Sequence, residues 1–190
     1  MHGVTRCPWA GNDPVYQRYH DQEWGVPVHD DRKLFEMLIL EGFQAGLSWI
    51  TILKRRNNFR KAFAKWDWKK IAAFDGRDRR RLLNDTGIIR NRLKIDAAIE
   101  NAAAFEKVRV EQGSFDTFIW KFTGNTTLRP PSPWKKSSEI PTHTLESDAM
   151  SKELRNRGFR FVGTVICYSF MQAVGMVDDH VERCFKCVRK

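Results

Sequence analysis

A chain of 190 residues, 42% of them hydrophobic, is long enough to bury a substantial core, and its length indicates one domain over 1–190 or two helical lobes. The net charge of +10 favours a polyanionic partner, with nucleic acid ahead of an anionic membrane surface. Four cysteines exclude a disulfide scaffold, and neither a signal-peptide core nor a run of about 18 apolar residues is present, so we expect a reducing, cytoplasmic setting of the bacterial type.

The spacing of apolar residues predicts an all-α chain, because no segment alternates over the length of a strand. Asp30 or Asp31 is predicted to cap the first long helix, and Ser48 and Asp67 are predicted to cap the next two. Later helices are predicted over 77–84, 88–110, 114–122, 147–157 (with Ser147 as cap) and 164–174, and a proline-rich loop over 126–142.

The two ends of the chain each carry one cysteine and one histidine. Cys7 and His20 lie near the start, and His180 and Cys184 near the end. The last two are spaced to share one face of a predicted helix. Two cysteines and two histidines are the usual ligands of a structural Zn²⁺ site, which would join the N- and C-terminal segments. Cys187 is a rival ligand, and the alternative is a set of ordinary buried side chains without a metal.

The segment before the last predicted helix contains two glycines, Gly158 and Gly163, followed by Thr164. A polar helix, a glycine-bearing turn and an apolar helix make a candidate helix-hairpin-helix element. Glycines allow close approach of a backbone, and the amides at a helix N-terminus bind phosphate. A plain turn between two helices is the alternative.

An acidic residue stands among aromatic ones in the first quarter of the chain. Glu41 follows an apolar run and precedes a glycine, where its carboxylate can accept hydrogen bonds from a nucleobase or favour a cationic base. Aromatic rings beside positive charge suit base stacking. Core packing of the rings and a solvated or ion-paired Glu41 are the alternatives. The aromatic residues concerned are Trp9, Tyr16, Tyr19, Trp24 and Trp49.

The chain resembles the 3-methyladenine DNA glycosylase I family over nearly its whole length. The longest string that carries the resemblance contains Glu41-Gly-Phe-Gln-Ala-Gly-Leu-Ser-Trp49. The matching strings lie at 7–9, 16–20, 21–27, 33–51, 87–92, 138–141, 157–172 and 177–180. The resemblance implies a helix-hairpin-helix glycosylase fold and excision of 3-methyladenine from alkylated double-stranded DNA. The sequence does not suggest an attacking lysine, so we expect water to be the nucleophile and no lyase step.

The resemblance also assigns residues. It implies a structural zinc held by Cys7, His20, His180 and Cys184. It places Glu41 at the edge of the methylated base, Tyr19 and Trp49 against its faces, and Trp9, Tyr16 and Trp24 in the same aromatic wall. It implies phosphate contacts around Gly158, Gly163 and Thr164. We expect the protein to act as a monomer.

One acidic residue near the C-terminus has two interpretations. Many members of the wider superfamily use an aspartate after the hairpin to stabilise the developing sugar cation, which the resembled family is described as lacking. Asp178 stands near that position, where it is a candidate catalytic residue or a helix cap. Two other functions are open: a DNA-binding module without catalysis, and a small-molecule enzyme whose aromatic pocket binds a cation.

Overall fold

The computed structural model describes residues 4–188, which are helical and contain no β-strand, only an isolated bridge between Leu128 and Val177. The prediction of an all-α chain is confirmed for these residues. The α-helices are α1 Pro14–Gln22, α2 Asp31–Gln44, α3 Trp49–Ala62, α4 Trp68–Ala72, α5 Gly76–Asn84, α6 Arg92–Gln112, α7 Phe115–Trp120, α8 Leu145–Asn156 and α9 Thr164–Ala173.

Helix starts follow the predicted caps in most places. The Asp30 carboxylate accepts from Lys33 N, and the Asp67 carboxylate accepts from Lys70 N. Ser48 precedes α3, but its hydroxyl contacts the Thr51 hydroxyl at 2.7 Å and caps no backbone amide.

Two helix starts were predicted at the wrong residue. The helix predicted from residue 88 begins at Arg92, because the Asn91 side chain accepts from Lys94 N and so caps it there. Ser147 does not cap α8. Thr144 does, and Ser147 lies at the third helical position, where its hydroxyl accepts from Thr144 N at 2.8 Å. The two side chains form a reciprocal capping box, which moves the helix start three residues earlier.

Helix α2 runs through the centre of the molecule. It contacts α3, α6, α7 and α9, and every residue from Leu34 to Phe43 is buried. Its last carbonyls are satisfied by a buried cation, since Lys94 Nζ donates to Phe43 O at 2.9 Å and to Ala45 O at 2.6 Å. Lys94 on α6 therefore holds the end of α2, which carries Glu41.

Helices α8 and α9 pack against each other and are joined by residues 157–163. Gly158 has φ +87°, a left-handed conformation that glycine adopts without steric penalty. The side chain of Asn101 on α6 holds the turn, because it donates to Arg160 O at 2.9 Å and accepts from Arg160 N at 2.7 Å. The turn is thus anchored to the long helix rather than free on the surface.

The residues after α9 are not helical, so the prediction that His180 and Cys184 share a helix face is wrong. Asp178 N donates to Leu128 O at 2.9 Å, which ties this segment to the proline-rich loop, and Cys184 N donates to Val181 O at 2.8 Å in a turn. Because Asp178 N donates to Leu128 O, this amide is not available for a hydrogen bond within a helix.

The buried hydrophobic side chains form one continuous cluster that includes residues from every α-helix. It also includes Cys7 and Cys184, so both ends of the described chain are packed into the core. None of the helices within residues 4–188 is both long and apolar enough to span a membrane.

Candidate active site

A cavity of about 320 Å³ opens between α1, the ends of α2 and α3, the proline-rich loop and α9. We call it the aromatic pocket. All six side chains proposed for base binding line it: Trp9, Tyr16, Tyr19, Trp24, Glu41 and Trp49.

The aromatic side chains pack edge-on and tilted rather than in parallel stacks. The ring of Trp9 lies 5.0 Å from that of Tyr16 and 4.9 Å from that of Trp24, centroid to centroid. Tyr19 and Trp49 form a second pair at 5.5 Å, tilted by 58°. These rings pack in or against the buried cluster, as the core-packing alternative predicts, and they also face the cavity, where base stacking stays a prediction.

Glu41 is the one acidic residue among the side chains that line the aromatic pocket. It is only 3% exposed, and its Oε2 has no hydrogen-bond partner within residues 4–188. Burial raises the pKa of its carboxyl to about 8, because the charged form has lost its water. A solvated or ion-paired Glu41, the alternative considered from the sequence, is therefore wrong for the described structure.

The buried carboxyl makes the fold less stable at alkaline pH. Its pKa rises from 4.5 to about 8 on folding. The neutral carboxyl therefore contributes to the free energy of unfolding at acid pH, and this contribution is lost as pH rises from 4.5 through 8. We expect Glu41→Gln, which cannot ionise, to raise the free energy of unfolding by up to about 5 kcal/mol at pH 9 and to change it little near pH 4. Urea unfolding at both pH values measures this. An equal effect at the two values would contradict it.

A buried aspartate supports the opposite wall of the pocket. Asp179 is 1% exposed and accepts from Tyr168 Oη at 2.7 Å and Gln172 Nε2 at 2.8 Å, both on α9 and both lining the pocket. It also accepts from Trp134 Nε1 of the proline-rich loop at 2.8 Å. One carboxylate thus fixes side chains from two elements that enclose the cavity.

The terminal cysteines and one histidine come together in a second buried cluster. The ligand atoms of Cys7, His20 and Cys184 all lie within 4.8 Å of one another, and all three residues are buried. The Cys184 Sγ is 3.3 Å from His20 Nε2. The fourth predicted ligand, His180, adjoins this group, since its ring centroid is 5.1 Å from that of His20.

The hydrogen bonds of the two histidines fit a metal. Nδ1 of His20 lies 2.8 Å from the Asp21 carboxylate, and Nδ1 of His180 lies 2.7 Å from the Asp178 carboxylate. Donation from Nδ1 to a carboxylate leaves the lone pair on each Nε2, which is how metal-bound histidines are usually oriented, although that of His20 accepts from Cys7 N at 3.3 Å. The Nε2 of His180 is buried and has no partner within residues 4–188, so it is available as a metal ligand.

The N-terminus of α9 presents free backbone amides beside the pocket. Gly163 caps the helix without a side-chain hydrogen bond, while Val165 and Tyr168 of the same helix line the cavity. The Thr164 hydroxyl, in contrast, is already hydrogen bonded to the Asp148 carboxylate. The predicted phosphate contact at this turn therefore depends on backbone amides rather than on the Thr164 side chain.

Residues 9–187 match the sequence model of the family described as methyladenine glycosylase. The chain belongs to the methyladenine glycosylase family. It is 52% identical over 188 residues to DNA-3-methyladenine glycosylase 1 of Escherichia coli strain K12, which covers 95% of this chain and 96% of the relative.

Two solved structures of 3-methyladenine DNA glycosylase I resemble this family member. A crystal structure of that enzyme superposes with a TM-score of 0.93 and 51% identity, covering 97% of this chain and 100% of the other. A phenylalanine-for-tyrosine variant in complex with 3-methyladenine superposes with a TM-score of 0.91 and 33% identity, covering 97% and 98%. The all-helical fold is therefore the glycosylase fold.

The sequence did not indicate several polar side chains of this glycosylase's pocket. Gln44, Ser169 and Gln172 line the cavity together with the aromatic rings. Gln44 lies one turn after Glu41 on α2, so the i, i+3 spacing could have identified it. Ser169 and Gln172 could not be identified, because they lie on a helix that is distant in the sequence and reaches the cavity only in the folded chain.

Asp178 is absent from the residues that line the aromatic pocket. Its carboxylate contacts His180 Nδ1 and accepts from Arg129 Nε at 3.1 Å. No helix begins at Asp178 in the described chain, so the capping alternative is wrong. Its catalytic role stays a prediction that these contacts do not favour, because both carboxylate oxygens already have partners.

Proposed function

We propose that this glycosylase binds alkylated double-stranded DNA as a monomer, flips out 3-methyladenine and releases it by hydrolysis. The observation that carries the proposal is the buried, unpartnered carboxyl of Glu41 among the rings of the aromatic pocket. An unpaired carboxyl in such a site is unfavourable for the empty protein, so it indicates a ligand that supplies the missing partner.

The chemistry of the base accounts for this arrangement. Adenine methylated at N3 carries a positive charge while it is attached to DNA and leaves as a neutral base, which weakens its glycosidic bond. Aromatic faces attract a cation, and the Glu41 carboxylate would add a charge-assisted hydrogen bond. The protein's main tasks are then flipping, selection and positioning, with little acid–base catalysis required.

A hydrolytic, monofunctional reaction is supported by the absence of an amine from the cavity. No lysine is among the residues lining the aromatic pocket in the described part of the chain. Lysine amines attack carbonyl-like centres when they are nucleophilic, which a lyase step requires. The buried Lys94 is bound instead to the backbone carbonyls of Phe43 and Ala45. Water is therefore the proposed nucleophile.

The cluster of Cys7, His20, His180 and Cys184 is proposed to hold one structural Zn²⁺. Four protein ligands would leave no open position for water, so the metal would stabilise the joined ends of the chain and take no part in base release. The support is the grouped ligand atoms and the buried, unpartnered Nε2 of His180.

The turn before α9 is proposed to bind the DNA backbone as the hairpin of a helix-hairpin-helix element. Gly163 has φ −61°, and a Cβ built there would come no closer than 3.8 Å, to Arg155 Nη2. Larger residues are thus compatible with the fold at this position. We expect Gly163→Leu to weaken binding to all DNA sequences alike and to make the salt dependence shallower by about one unit of log–log slope, because phosphate contacts carry no sequence information.

Fluorescence anisotropy with several duplexes measures the Gly163→Leu effect. Ala103→Leu, at an exposed position of α6, is a control for added bulk. Unchanged affinity in Gly163→Leu, or a loss confined to one sequence, would remove the hairpin from the binding surface.

The proposed function is tested by base release from DNA treated with a methylating agent that produces 3-methyladenine. Chromatography should show free 3-methyladenine in the supernatant and no strand cleavage at the resulting abasic sites. Binding without base release would indicate a non-catalytic DNA-binding module. Absence of salt-dependent DNA affinity would indicate a small-molecule enzyme instead.

A further inference from the structure

The net positive charge of this chain is concentrated in one segment. Residues 54–94 contain 15 of the 33 lysines and arginines but only four of the 23 acidic residues, a net charge of +11. The remainder of the chain therefore has a net charge of −1. This segment comprises most of α3, all of α4 and α5 and the start of α6.

The four acidic side chains of the segment are used for local structure. Asp67 caps α4, and Asp75 and Asp78 form the capping box of α5. Asp85 accepts from Gly87 N at 2.8 Å in the turn that follows. Because there are only four carboxylates against 15 cations, they neutralise only part of the surrounding positive charge.

Apart from Arg90 in the loop before α6, five cations of the segment remain without a partner. Their side chains are exposed and form no ion pair or hydrogen bond within residues 4–188. We call this set the basic face: Arg60, Lys61, Lys65, Arg77 and Arg80.

The two helices of the basic face are adjacent. Arg81 Nη1 on α5 donates to Ala62 O at the end of α3 at 3.1 Å, which brings α5 next to Lys61. Arg77, Arg80 and Arg81 are spaced by three and four residues and so lie on the same side of α5. The hydrogen bond of Arg81 thus links this side of α5 to the end of α3, where Arg60 and Lys61 lie.

The basic face is connected to the aromatic pocket by α3. That helix begins at Trp49, which lines the cavity, and reaches Lys61 twelve residues later. At about 1.5 Å per residue, the basic face begins roughly 18 Å from the proposed base-binding ring, or about five base-pair steps of a duplex.

We propose that the basic face binds the phosphate backbone of the duplex arm that flanks the flipped base. It would be a second backbone contact, separate from the N-terminus of α9, and the inference rests on the proposed function. The composition of the segment favours nucleic acid over a membrane. Of its large hydrophobic side chains only Leu93 is markedly exposed, and Leu93 lies outside the basic face, so the face has no apolar group for insertion into lipid.

The test compares two double variants that remove the same charge. Lys61→Gln/Arg80→Gln changes the basic face. Arg32→Gln/Lys107→Gln removes two exposed cations on α2 and α6 that also have no ion pair within residues 4–188. Affinity for a duplex is measured at several salt concentrations, and release of 3-methyladenine by the wild-type protein is measured in parallel.

We expect the basic-face double variant to bind roughly ten- to a hundredfold more weakly at low salt. Its plot of log affinity against log salt should be shallower by about 1–2 units, since each phosphate contact contributes about 0.9. The control double variant should match the wild-type protein. The difference should also disappear on duplexes that extend fewer than about five base pairs on either side of the lesion.

Equal salt dependence of the two double variants would overturn the basic face as a DNA contact, whether or not base release occurs. The same applies if Lys61→Gln/Arg80→Gln lowers binding to phosphatidylserine vesicles and leaves DNA affinity unchanged. Absence of base release by the wild-type protein would instead refute the proposed function, and it is measured independently of the variants.

Discussion

Glu41→Gln should slow release of 3-methyladenine by roughly ten- to a hundredfold, the consequence of losing one charge-assisted hydrogen bond of about 1.5–3 kcal/mol at a buried carboxyl. The substitution keeps the size of the side chain and part of its hydrogen bonding. Because the carboxyl is buried and unpartnered, no ion pair of the fold is lost with it. Single-turnover rates on a duplex with one defined lesion measure the effect.

The pH dependence should distinguish recognition of a cation from a purely structural role. Burial raises the pKa of Glu41 to about 8, so the ionised fraction of the free protein increases with pH up to that value. We expect kcat/KM of the wild-type protein to rise between pH 6 and 8 and that of Glu41→Gln to stay nearly level over the same range.

Two control variants accompany this experiment. Glu111→Gln removes the same charge from an exposed ion pair with Arg157 on the surface and should excise at the wild-type rate. Trp49→Ala should also lower activity, through loss of about 1–3 kcal/mol of stacking. A wild-type rate in Glu41→Gln would show that the carboxyl is not used to recognise the base.

Cys184→Ala should release the proposed zinc and lower the free energy of unfolding by about 4 kcal/mol, since loss of a structural metal is among the largest effects of single substitutions. For a chain of this size, that corresponds to a decrease in Tm of roughly 8–16 °C. Cys184 is buried beside Cys7 and His20, so its removal breaks a contact between the two ends of the chain. Elemental analysis of the purified protein should find about one zinc per chain.

Cys187→Ala is the control, because Cys187 was the rival ligand in the sequence; neither it nor His180 belongs to the three grouped ligand residues, and the buried, unpartnered Nε2 of His180 favours the histidine as the fourth ligand. It should keep its metal and a Tm close to that of the wild-type protein. Active wild-type protein that contains no metal and is insensitive to chelators would disprove the zinc site. Loss of metal from Cys187→Ala would show that Cys187 is a metal ligand.

Local signals in the sequence predicted the positions of helices well where one side chain determines the start. Asp30 and Asp67 cap their helices as expected, because a carboxylate that accepts from a free amide of the first turn stabilises the start of a helix at that residue. Ser147 misled the prediction, because the reciprocal pairing with Thr144 decides the start of α8 and depends on two side chains together.

The sequence predicted six of the residues that line the cavity, but it did not predict that the Glu41 carboxyl is buried. The sequence identified Glu41 and its aromatic neighbours, since an acidic residue among tryptophans is unusual. The burial of the carboxyl depends on the packing of α2 against distant elements such as α9, which no local pattern reports. Long-range contacts also explain why the helix predicted at His180 and Cys184 is wrong. Asp178 N, just before these residues, donates to Leu128 O, which is distant in the sequence.

The contact between Cys7 and Cys184 has a consequence for synthesis of the protein on the ribosome. The wall of the pocket that contains Trp9 packs against His20, whose partner Cys184 lies 164 residues further along the chain. At about 5–20 residues per second, the early aromatic residues wait roughly 8–33 s for that partner to be translated. During this interval the rings of the N-terminal segment can pack only against elements already translated, such as Trp49 of α3, and the closure of the chain ends over them is among the last events of folding.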